Sequence, residues 1–298
     1  PAEGSKALPS KAHISIYDQW ILSKLQQAQK TVDEALEQER FSDAATCLYQ
    51  FIWNDFCDWY IEFSKPILSA GQSEDRKATQ LILAQVLNRM LRLLHPFCPF
   101  ITEELYQKLP IKNSACIIDQ YPTILNDREL LELASVNAAK EIDLIKEVIT
   151  AIRNIRGENR ISPAEKLKVR LAVNDEKTQK IIGENKSTIQ SIARVEITTI
   201  GDAGNISKCA VNAATTADFQ AKVIIPLEGL VDFDEEIKRI TKTIEKLTKD
   251  IGILTGKLSN EKFLSHAEED VIENDKILLE QSKIQIQSLQ EALLRFQN

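Results

Sequence analysis

Residues 233–296 decide the fold, and they read FDEEIKRITKTIEKLTKDIGILTGKLSNEKFLSHAEEDVIENDKILLEQSKIQIQSLQEALLRF. In the first half of this stretch apolar residues recur at alternating steps of three and four, which keeps one apolar seam along a helix. The seam residues are Ile237, Ile240, Ile244, Leu247, Ile251, Leu254 and Leu258. A seam of this length is typical of a coiled coil and requires a partner helix.

A second helical stretch follows the polar break at residues 259–261 and supplies that partner. Its apolar positions, most of them seven residues apart, are Ile272, Leu279, Ile286, Leu289, Leu293 and Phe296. We therefore predict that the two stretches fold back on each other as an antiparallel hairpin. At about 1.5 Å per residue each helix reaches roughly 35–40 Å, so we expect an arm that projects from the body.

The composition predicts a soluble globular protein, and the linker-like start at Pro1 without a Met leads us to expect a piece of a longer one. The 298 residues are 43% hydrophobic, enough for about two domains. No apolar run is long enough to span a membrane, and residues 1–12 indicate a linker or a cloning remnant. The odd set of cysteines in apolar contexts predicts buried free thiols in the cytoplasm, namely Cys47, Cys57, Cys98, Cys116 and Cys209.

The net charge of −7 argues against a nucleic-acid partner for the chain as a whole, but two stretches are locally basic. Residues 146–170 and residues 237–258 each have a balance of +4. On the first arm helix five cations fall on the face away from the seam: Lys238, Arg239, Lys242, Lys246 and Lys249. A phosphate backbone could lie along this face, although coiled coils commonly carry a charged, solvated face that binds nothing.

A second candidate phosphate site lies at the end of a helix predicted over Asp127–Arg156. Arg153, Arg156 and Arg160 are three and four residues apart, so they share one face if the helix continues that far. We predict that Gly157 and Pro163 stop the helix. Lys166, just beyond, completes this candidate group.

The rest of the body is predicted to be helical up to a short α/β module. We expect four helices in this part. The first covers residues 14–39, and the second begins at a Ser42 or Asp43 cap and stops at Lys65-Pro66. The third begins at a Ser73 cap and runs through Leu94, and the fourth covers residues 101–109. The second of these holds six aromatic residues within 51–63. We interpret most of them as core, although aromatic rings also stack on nucleic-acid bases. His95 is predicted to be a capping or core residue.

From Lys166 onward the periodicity changes to that of strands. Residues 167–173 alternate apolar and polar, residues 178–193 are predicted helical, and three strands follow over 195–200, 209–214 and 219–227. Metal-ligand pairs, glycine-rich phosphate loops and nucleophile motifs do not occur in the sequence. We therefore assign no catalytic, cofactor-binding or metal-binding residue in this chain.

Three motifs together resemble the C-terminal region of the class I valyl-tRNA synthetase family. They are residues 20–25 (WILSKL), residues 51–62 (FIWNDFCDWYIE) and residues 93–106 (LLHPFCPFITEELY). Residues 226–232 (PLEGLVD) and 258–263 (LSNEKF) are similar to the entry and tip of that family's coiled-coil arm. The bundle motifs also fit the isoleucyl and leucyl enzymes, whereas the arm points to the valine member. The sequence departs from the family at His266-Ala267-Glu268, where a proline is usual, and at Cys98, where Met is common.

The residue patterns and the resemblance together predict a mainly α fold in four parts: a linker or cloning remnant (1–12), a helical anticodon-binding bundle (13–160), a small α/β connecting module (161–229) and an antiparallel coiled-coil arm (230–298). The resemblance implies that the intact enzyme ligates valine to its tRNA, with ATP and Mg in a catalytic domain that, like the editing domain, would precede this chain. This piece would be a catalytically inactive, cytoplasmic monomer that binds valine tRNA but neither DNA nor a membrane.

The resemblance also suggests where the tRNA would bind. The anticodon arm would contact Arg153, Arg156, Arg160 and Lys166, and the outer corner would contact Lys238, Arg239, Lys242, Lys246 and Lys249. The competing hypothesis is a non-enzymatic scaffold that pairs with another protein through its coiled coil.

Overall fold

The computed structural model describes residues 8–112, 115–124, 127–204, 208–231, 233–260 and 269–297. The chain divides into two compact units, Pro1–Glu147 with Thr216–Asp218 and Val148–Thr215 with Phe219–Asn298. The predicted mainly α fold with one small sheet is confirmed. Within the described ranges no helix is both long and apolar enough to cross a bilayer.

The first unit is a helical bundle. Its helices are α1 (Ile16–Glu37), α2 (Phe41–Gln50), a π-helix (Phe51–Tyr60), α3 (Ile61–Ser69), α4 (Glu74–Leu94), α5 (Pro99–Tyr106), the short α6 (Arg128–Leu131) and the first half of α7 (Val136–Glu158). Short 3₁₀ turns lie at Lys11–His13 and Cys116–Ile118. The core contains fully buried side chains such as Trp20, Tyr60 and Phe63.

A buried carboxylate joins three helices of this bundle. Asp18 Oδ1 accepts a hydrogen bond from the Tyr60 hydroxyl (2.6 Å), and its Oδ2 accepts one from the Thr79 hydroxyl (2.9 Å). Asp18 also forms a capping box with Ser15 at the start of α1. Burial, with the charge of Asp18 beside it, raises the pKa of Tyr60 well above its usual value, so the hydroxyl stays a donor. This network fixes α1, the π-helix and α4 in one arrangement.

Two predictions about the second body helix are wrong. The helix begins at Phe41 with Arg40 as its N-cap and no side-chain cap, because the Asp43 carboxylate binds the Arg40 guanidinium (2.6 Å) instead. It does not stop at Pro66 but runs on to Ser69. Buried Phe63 holds the helix against the core, and the Ala70 N–H donates to the Pro66 carbonyl (3.2 Å), so one further turn forms despite the proline.

Two other helix boundaries differ from the prediction. The helix expected over 127–156 is split into α6 and α7, since Ser135 caps a new helix by accepting a hydrogen bond from the Ala138 N–H (3.2 Å). The fourth helix begins earlier than expected, at Pro99, because proline fits the first turn of a helix. His95 has the predicted role: its Nδ1 hydrogen-bonds with the Thr102 hydroxyl (2.7 Å) and joins the end of α4 to α5.

The second unit contains a four-stranded sheet of strand order β2-β1-β4-β3. The strands are β1 (Leu167–Ala172), β2 (Val195–Gly201), β3 (Cys209–Thr215) and β4 (Gln220–Pro226). β1 and β2 are parallel and joined through α8 (Glu176–Glu184) and α9 (Lys186–Ala193), while β4 lies antiparallel to both β1 and β3. All four strands predicted from the sequence are present.

The arm consists of α10 (Phe233–Leu258) and α11 (Glu269–Gln297), which pack on each other. All seven predicted seam residues of α10 are buried or half-buried, with Ile240 and Leu254 the most enclosed. Lys257 Nζ lies 3.8 Å from an Asp275 carboxylate oxygen, so the end of α10 meets the start of α11 and the helices are antiparallel, as predicted. The side chain of Phe296 and the His266-Ala267-Glu268 departure lie outside the described residues.

The sequence missed the polar residues of the second seam. Ser282 is buried and Asp275 is half-buried, and both face α10 where apolar residues would be usual. The Ser282 hydroxyl donates to the Leu278 carbonyl (2.7 Å), which satisfies it inside its own helix. The cysteines were predicted buried, but only Cys116 and Cys209 are; Cys98 is exposed because it caps the start of α5 at the surface.

Candidate nucleic-acid interface

The outer face of α10 carries four exposed lysines, Lys238, Lys242, Lys246 and Lys249. We call them the α10 lysine face. At about 1.5 Å per residue they extend over roughly 16 Å of helix axis. Among the described side chains of the arm, ion pairs form at other lysines, such as Lys276 with Glu273 and Lys283 with Glu280, and not at these four. All four side chains are therefore exposed and form no ion pair with a described residue.

Arg239, the fifth predicted arm cation, has a different role. It is half-buried, and its Nη2 donates to the carbonyl of Glu158 at the end of α7 (3.5 Å). This contact lies inside the second unit and joins the base of α10 to the end of α7. The two groups of cations predicted from the sequence are therefore neighbours there.

The end of α7 is not the helical arginine face that the spacing suggested. The helix ends at Glu158, and Arg160 has a left-handed backbone with φ of 52°. The Ile161 N–H donates to the Arg156 carbonyl (2.9 Å) and the Arg160 N–H to the Gly157 carbonyl (3.2 Å), the pattern of a Schellman cap. Gly157 was predicted to stop the helix, but the helix runs one residue further, to Glu158, and the left-handed residue of the cap is Arg160. The expectation that Arg160 shares a face with Arg153 and Arg156 is wrong.

Arg156 uses its guanidinium inside the protein. Its Nη1 donates to the carbonyls of Ser162 (2.8 Å) and Glu165 (2.9 Å), and its Nη2 reaches those of Arg194 (3.4 Å) and Ala193 (3.5 Å). Burial and the nearby positive charge of Arg194 lower its pKa. Arg156 therefore holds α7, the loop before β1 and the end of α9 together. Arg153, Arg160 and Lys166 are exposed around it.

The structure adds one cation that the sequence did not indicate. Arg194 is exposed, lies beside Arg156 and has a left-handed backbone with φ of 54° at the end of α9. It is 38 residues from Arg156 along the chain. No periodicity could have joined them, because the turn of the chain between α9 and β2 places them together.

The aromatic helix divides into a buried and an exposed part. Phe51, Phe56, Tyr60 and Phe63 are buried, which confirms the interpretation of these residues as core. Trp53 is 55% exposed and stacks on Tyr49, which is 63% exposed, with ring centroids 6.4 Å apart. Helix α2 and the π-helix carry acidic residues and no basic ones, so this aromatic pair lies on elements without cations of their own.

Comparison with known families fits this geometry. Residues 18–171, more than half of the chain, match the model described as the anticodon-binding domain of tRNA ligase. The chain therefore belongs to this family of tRNA-ligase anticodon-binding domains. Residues 232–297 match a second model, described as the valyl tRNA synthetase tRNA binding arm, and these residues include α10 and α11.

Individual relatives identify the member of the family. The chain is 64% identical over 297 residues to a valine-tRNA ligase of Bdellovibrio bacteriovorus, 37% identical over 270 residues to that of Geobacter sulfurreducens, and 34% identical over 262 residues to that of Enterococcus faecalis. These matches cover 100%, 90% and 88% of this chain but only 33%, 30% and 29% of the relatives. The resemblance inferred from the motifs is confirmed: the chain corresponds to the C-terminal region of valyl-tRNA synthetases, and it spans about a third of their length.

Proposed function

We propose that this chain holds tRNA for an enzyme that ligates valine to its cognate tRNA with ATP. The α10 lysine face would bind the phosphates at the outer corner of the tRNA, and the helical bundle would hold the anticodon arm. The observation that carries the proposal is the run of four exposed lysines, without ion pairs to described residues, on a helix whose other side is fixed by the seam. A row of exposed cations suits a polyanion, because binding releases condensed counterions.

The test replaces Lys238, Lys242, Lys246 and Lys249 together with Gln and titrates valine tRNA by filter binding at several salt concentrations. We expect weaker binding and a salt slope reduced by about three, since each lost phosphate contact removes roughly 0.7–0.9 from the slope. The matched control removes four lysines that form ion pairs with nearby glutamates, Lys65, Lys77, Lys276 and Lys283. Equal losses in the two variants would mean that net charge alone attracts the RNA, and would reject the assignment to the α10 lysine face.

For the end of α7 we propose a narrower role than the sequence suggested. Arg153, Arg160 and Lys166 remain candidates for phosphate contacts with the anticodon arm, whereas Arg156 acts by positioning the chain around them. The Arg153→Gln/Arg160→Gln variant should weaken binding of an isolated anticodon stem-loop. If the variant bound that stem-loop with unchanged affinity but whole tRNA more weakly, these residues would contact another part of the tRNA.

Further proposals follow from the same assignment. This chain by itself would form no valyl-tRNA, since ATP and Mg would bind in a catalytic domain elsewhere in the full-length enzyme. The chain would act in the cytoplasm as a monomer, and it would have no affinity for DNA. Incubation with valine, ATP, Mg and tRNA tests the first point. Product formation by the pure chain would contradict it.

The scaffold hypothesis keeps one supporting observation. On the outer face of α11, Ile277 and Ile284 are 47% and 63% exposed, one heptad apart. The seam itself is occupied by the partner helix of the same chain, so a scaffold would have to associate through these outer residues. Sedimentation velocity of the wild type and the Ile277→Ser/Ile284→Ser variant decides: concentration-dependent dimers lost in the variant, together with no tRNA binding, would favour the scaffold.

A further inference from the structure

The first unit exposes an apolar surface that neither the core nor the candidate RNA contacts use. Five large apolar side chains on α5 and on the 3₁₀ turn beside it form it, with exposed fractions of 91% for Phe100, 55% for Ile101, 42% for Leu105, 72% for Ile117 and 72% for Ile118. We call this surface the α5 patch. Isolated soluble chains seldom expose this much apolar area in one place, and such areas mark interaction sites.

The two elements of the α5 patch are held together by hydrogen bonds. Glu103 on α5 accepts hydrogen bonds from the backbone N–H groups of Cys116 (2.9 Å) and Ile117 (3.4 Å). The hydroxyl of Tyr106 donates to the Asp119 carboxylate at the other end of the turn. Beneath the turn, Cys116 packs with Tyr106 and Leu91 in the core. The surface is therefore preformed, which reduces the entropy lost when a partner binds.

The chemistry of the α5 patch excludes RNA as its natural partner. Four of its five side chains are aliphatic and cannot stack on bases as aromatic rings do. Three carboxylates lie beside or beneath it, Glu103, Glu104 and Asp119, and the Asp119 side chain is only 8% exposed. The nearby cations are already engaged, since Lys108 pairs with Glu104 (2.9 Å) and Arg92 lies 3.8 Å from Asp119. An apolar centre with a polar rim is the composition of a protein interface.

We propose that the α5 patch is the docking surface for the two thirds of the full-length ligase that this chain does not span. This inference depends on the proposed function, because it takes the full-length protein to resemble the valine-tRNA ligases that are about three times longer than the matched region. A permanent contact within one polypeptide explains why the surface can be so apolar. A transient partner would require the patch to remain exposed in the free enzyme.

The test compares this chain alone with a chimera in which it replaces the matching third of the Bdellovibrio bacteriovorus ligase. Carbene footprinting reports the solvent access of individual side chains. We expect labelling of Phe100, Ile117 and Ile118 to fall at least threefold in the chimera. Labelling of Ile277 and Ile284, exposed residues of the arm, should stay equal in the two proteins. Equal labelling of the patch in both proteins would overturn the proposal.

A triple variant, Phe100→Ser/Ile117→Ser/Ile118→Ser, provides a second readout. It should lower the melting temperature of the chimera and leave that of the chain alone unchanged, because the substituted side chains are exposed there. The matched control is Ile277→Ser/Ile284→Ser, which should affect neither.

Three further measurements separate this proposal from the proposed function. If the triple variant lowers the affinity of the chain for tRNA, the patch is an RNA contact and the docking proposal is wrong. If the wild-type chain self-associates in sedimentation and the triple variant does not, a second copy is the occupant, and the proposal is again wrong. If the chain fails to bind tRNA while the patch is still protected in the chimera, the proposed RNA role fails and the docking surface stands.

Discussion

The end of α7 and the outer face of α10 are both rich in cations, and they use those cations in opposite ways. At α7 the Arg156 guanidinium is surrounded by four backbone carbonyls and holds three segments together. On α10 the lysines point away from a seam that already holds the helix in place. The comparison teaches that a cation is available to a ligand only where other contacts have already supplied the local stability.

The largest expected effect tests whether packing in the seam is what lets the α10 lysine face bind tRNA. Ile240→Ala and Leu254→Ala each remove a buried side chain, so each should destabilise the arm by about 2–4 kcal/mol. The tRNA affinity should fall with them although no charge is lost. Urea unfolding followed by circular dichroism measures the stability, and Ile253→Ala, which removes an exposed side chain of the same helix, is the control. If a variant with an unfolded arm kept full tRNA affinity, the seam would not be needed to present the lysines, and the contrast drawn between α10 and α7 would be wrong.

The second expected effect concerns the cation that is committed to the fold. Arg156→Met should destabilise the second unit by about 2 kcal/mol, because carbonyls that now bind a charged donor lose it. Arg156→Lys keeps the charge but lacks the planar fork, so it should recover little of that stability. The measurement is the midpoint of thermal unfolding. If Arg156→Lys behaves as wild type, the charge alone matters and the carbonyl contacts do not.

A third variant should stabilise the protein while removing a charge from the same cluster. Arg160 has a left-handed backbone, which costs less for glycine than for any other residue. Arg160→Gly should therefore raise the free energy of unfolding by about 0.5–1 kcal/mol. Arg160→Ala removes the same side chain and keeps the backbone strain, so it should show no gain. A loss of stability in the glycine variant would show that the side chain, rather than the backbone, sets the end of α7.

The smallest expected effect concerns a single exposed lysine of α10. Lys242→Gln should change stability by less than about 0.5 kcal/mol, because its ammonium group makes no ion pair with the described residues. Its salt slope for tRNA binding should fall by roughly 0.7–0.9, the contribution of one phosphate. Lys276→Gln, which removes an ion-paired lysine of α11, should leave the slope unchanged. A slope change in both variants would point to a general field rather than a defined contact.

The arm shows how far local periodicity predicts a structure. The step of three and four placed the seam of α10 correctly. Period two found β1, and short β-like runs bounded by turn residues found the other three strands, because all these signals come from residues a few positions apart. The same reasoning joined α6 and α7 into one helix. The hydroxyl of Ser135 breaks them there, and a hydrophobic stripe does not report a cap that interrupts it.

The candidate site was predicted in part. The α10 lysine face follows from counting around a helix, since the seam fixes which side is outward. For Arg156 the same counting predicted a surface contact with phosphate, whereas the structure shows a half-buried guanidinium that binds backbone carbonyls of its own chain. Its partners at Ala193 and Arg194 lie 37 and 38 residues away, beyond any periodic signal.

The sequence by itself determined the family, the strands, most of the helices without their exact ends, the seam and the side of α10 that carries the lysines; it also merged α6 with α7 and α8 with α9. These depend on short-range periodicity and on motifs that residue order preserves. Only the tertiary structure decided that the Arg156 guanidinium stabilises the fold by binding backbone carbonyls. It also decided that Trp53 and the α5 patch are exposed and that Asp18 joins three helices. Burial and hydrogen bonding depend on neighbours brought from distant parts of the chain, as when Gln29 donates to Asp127 from 98 residues away.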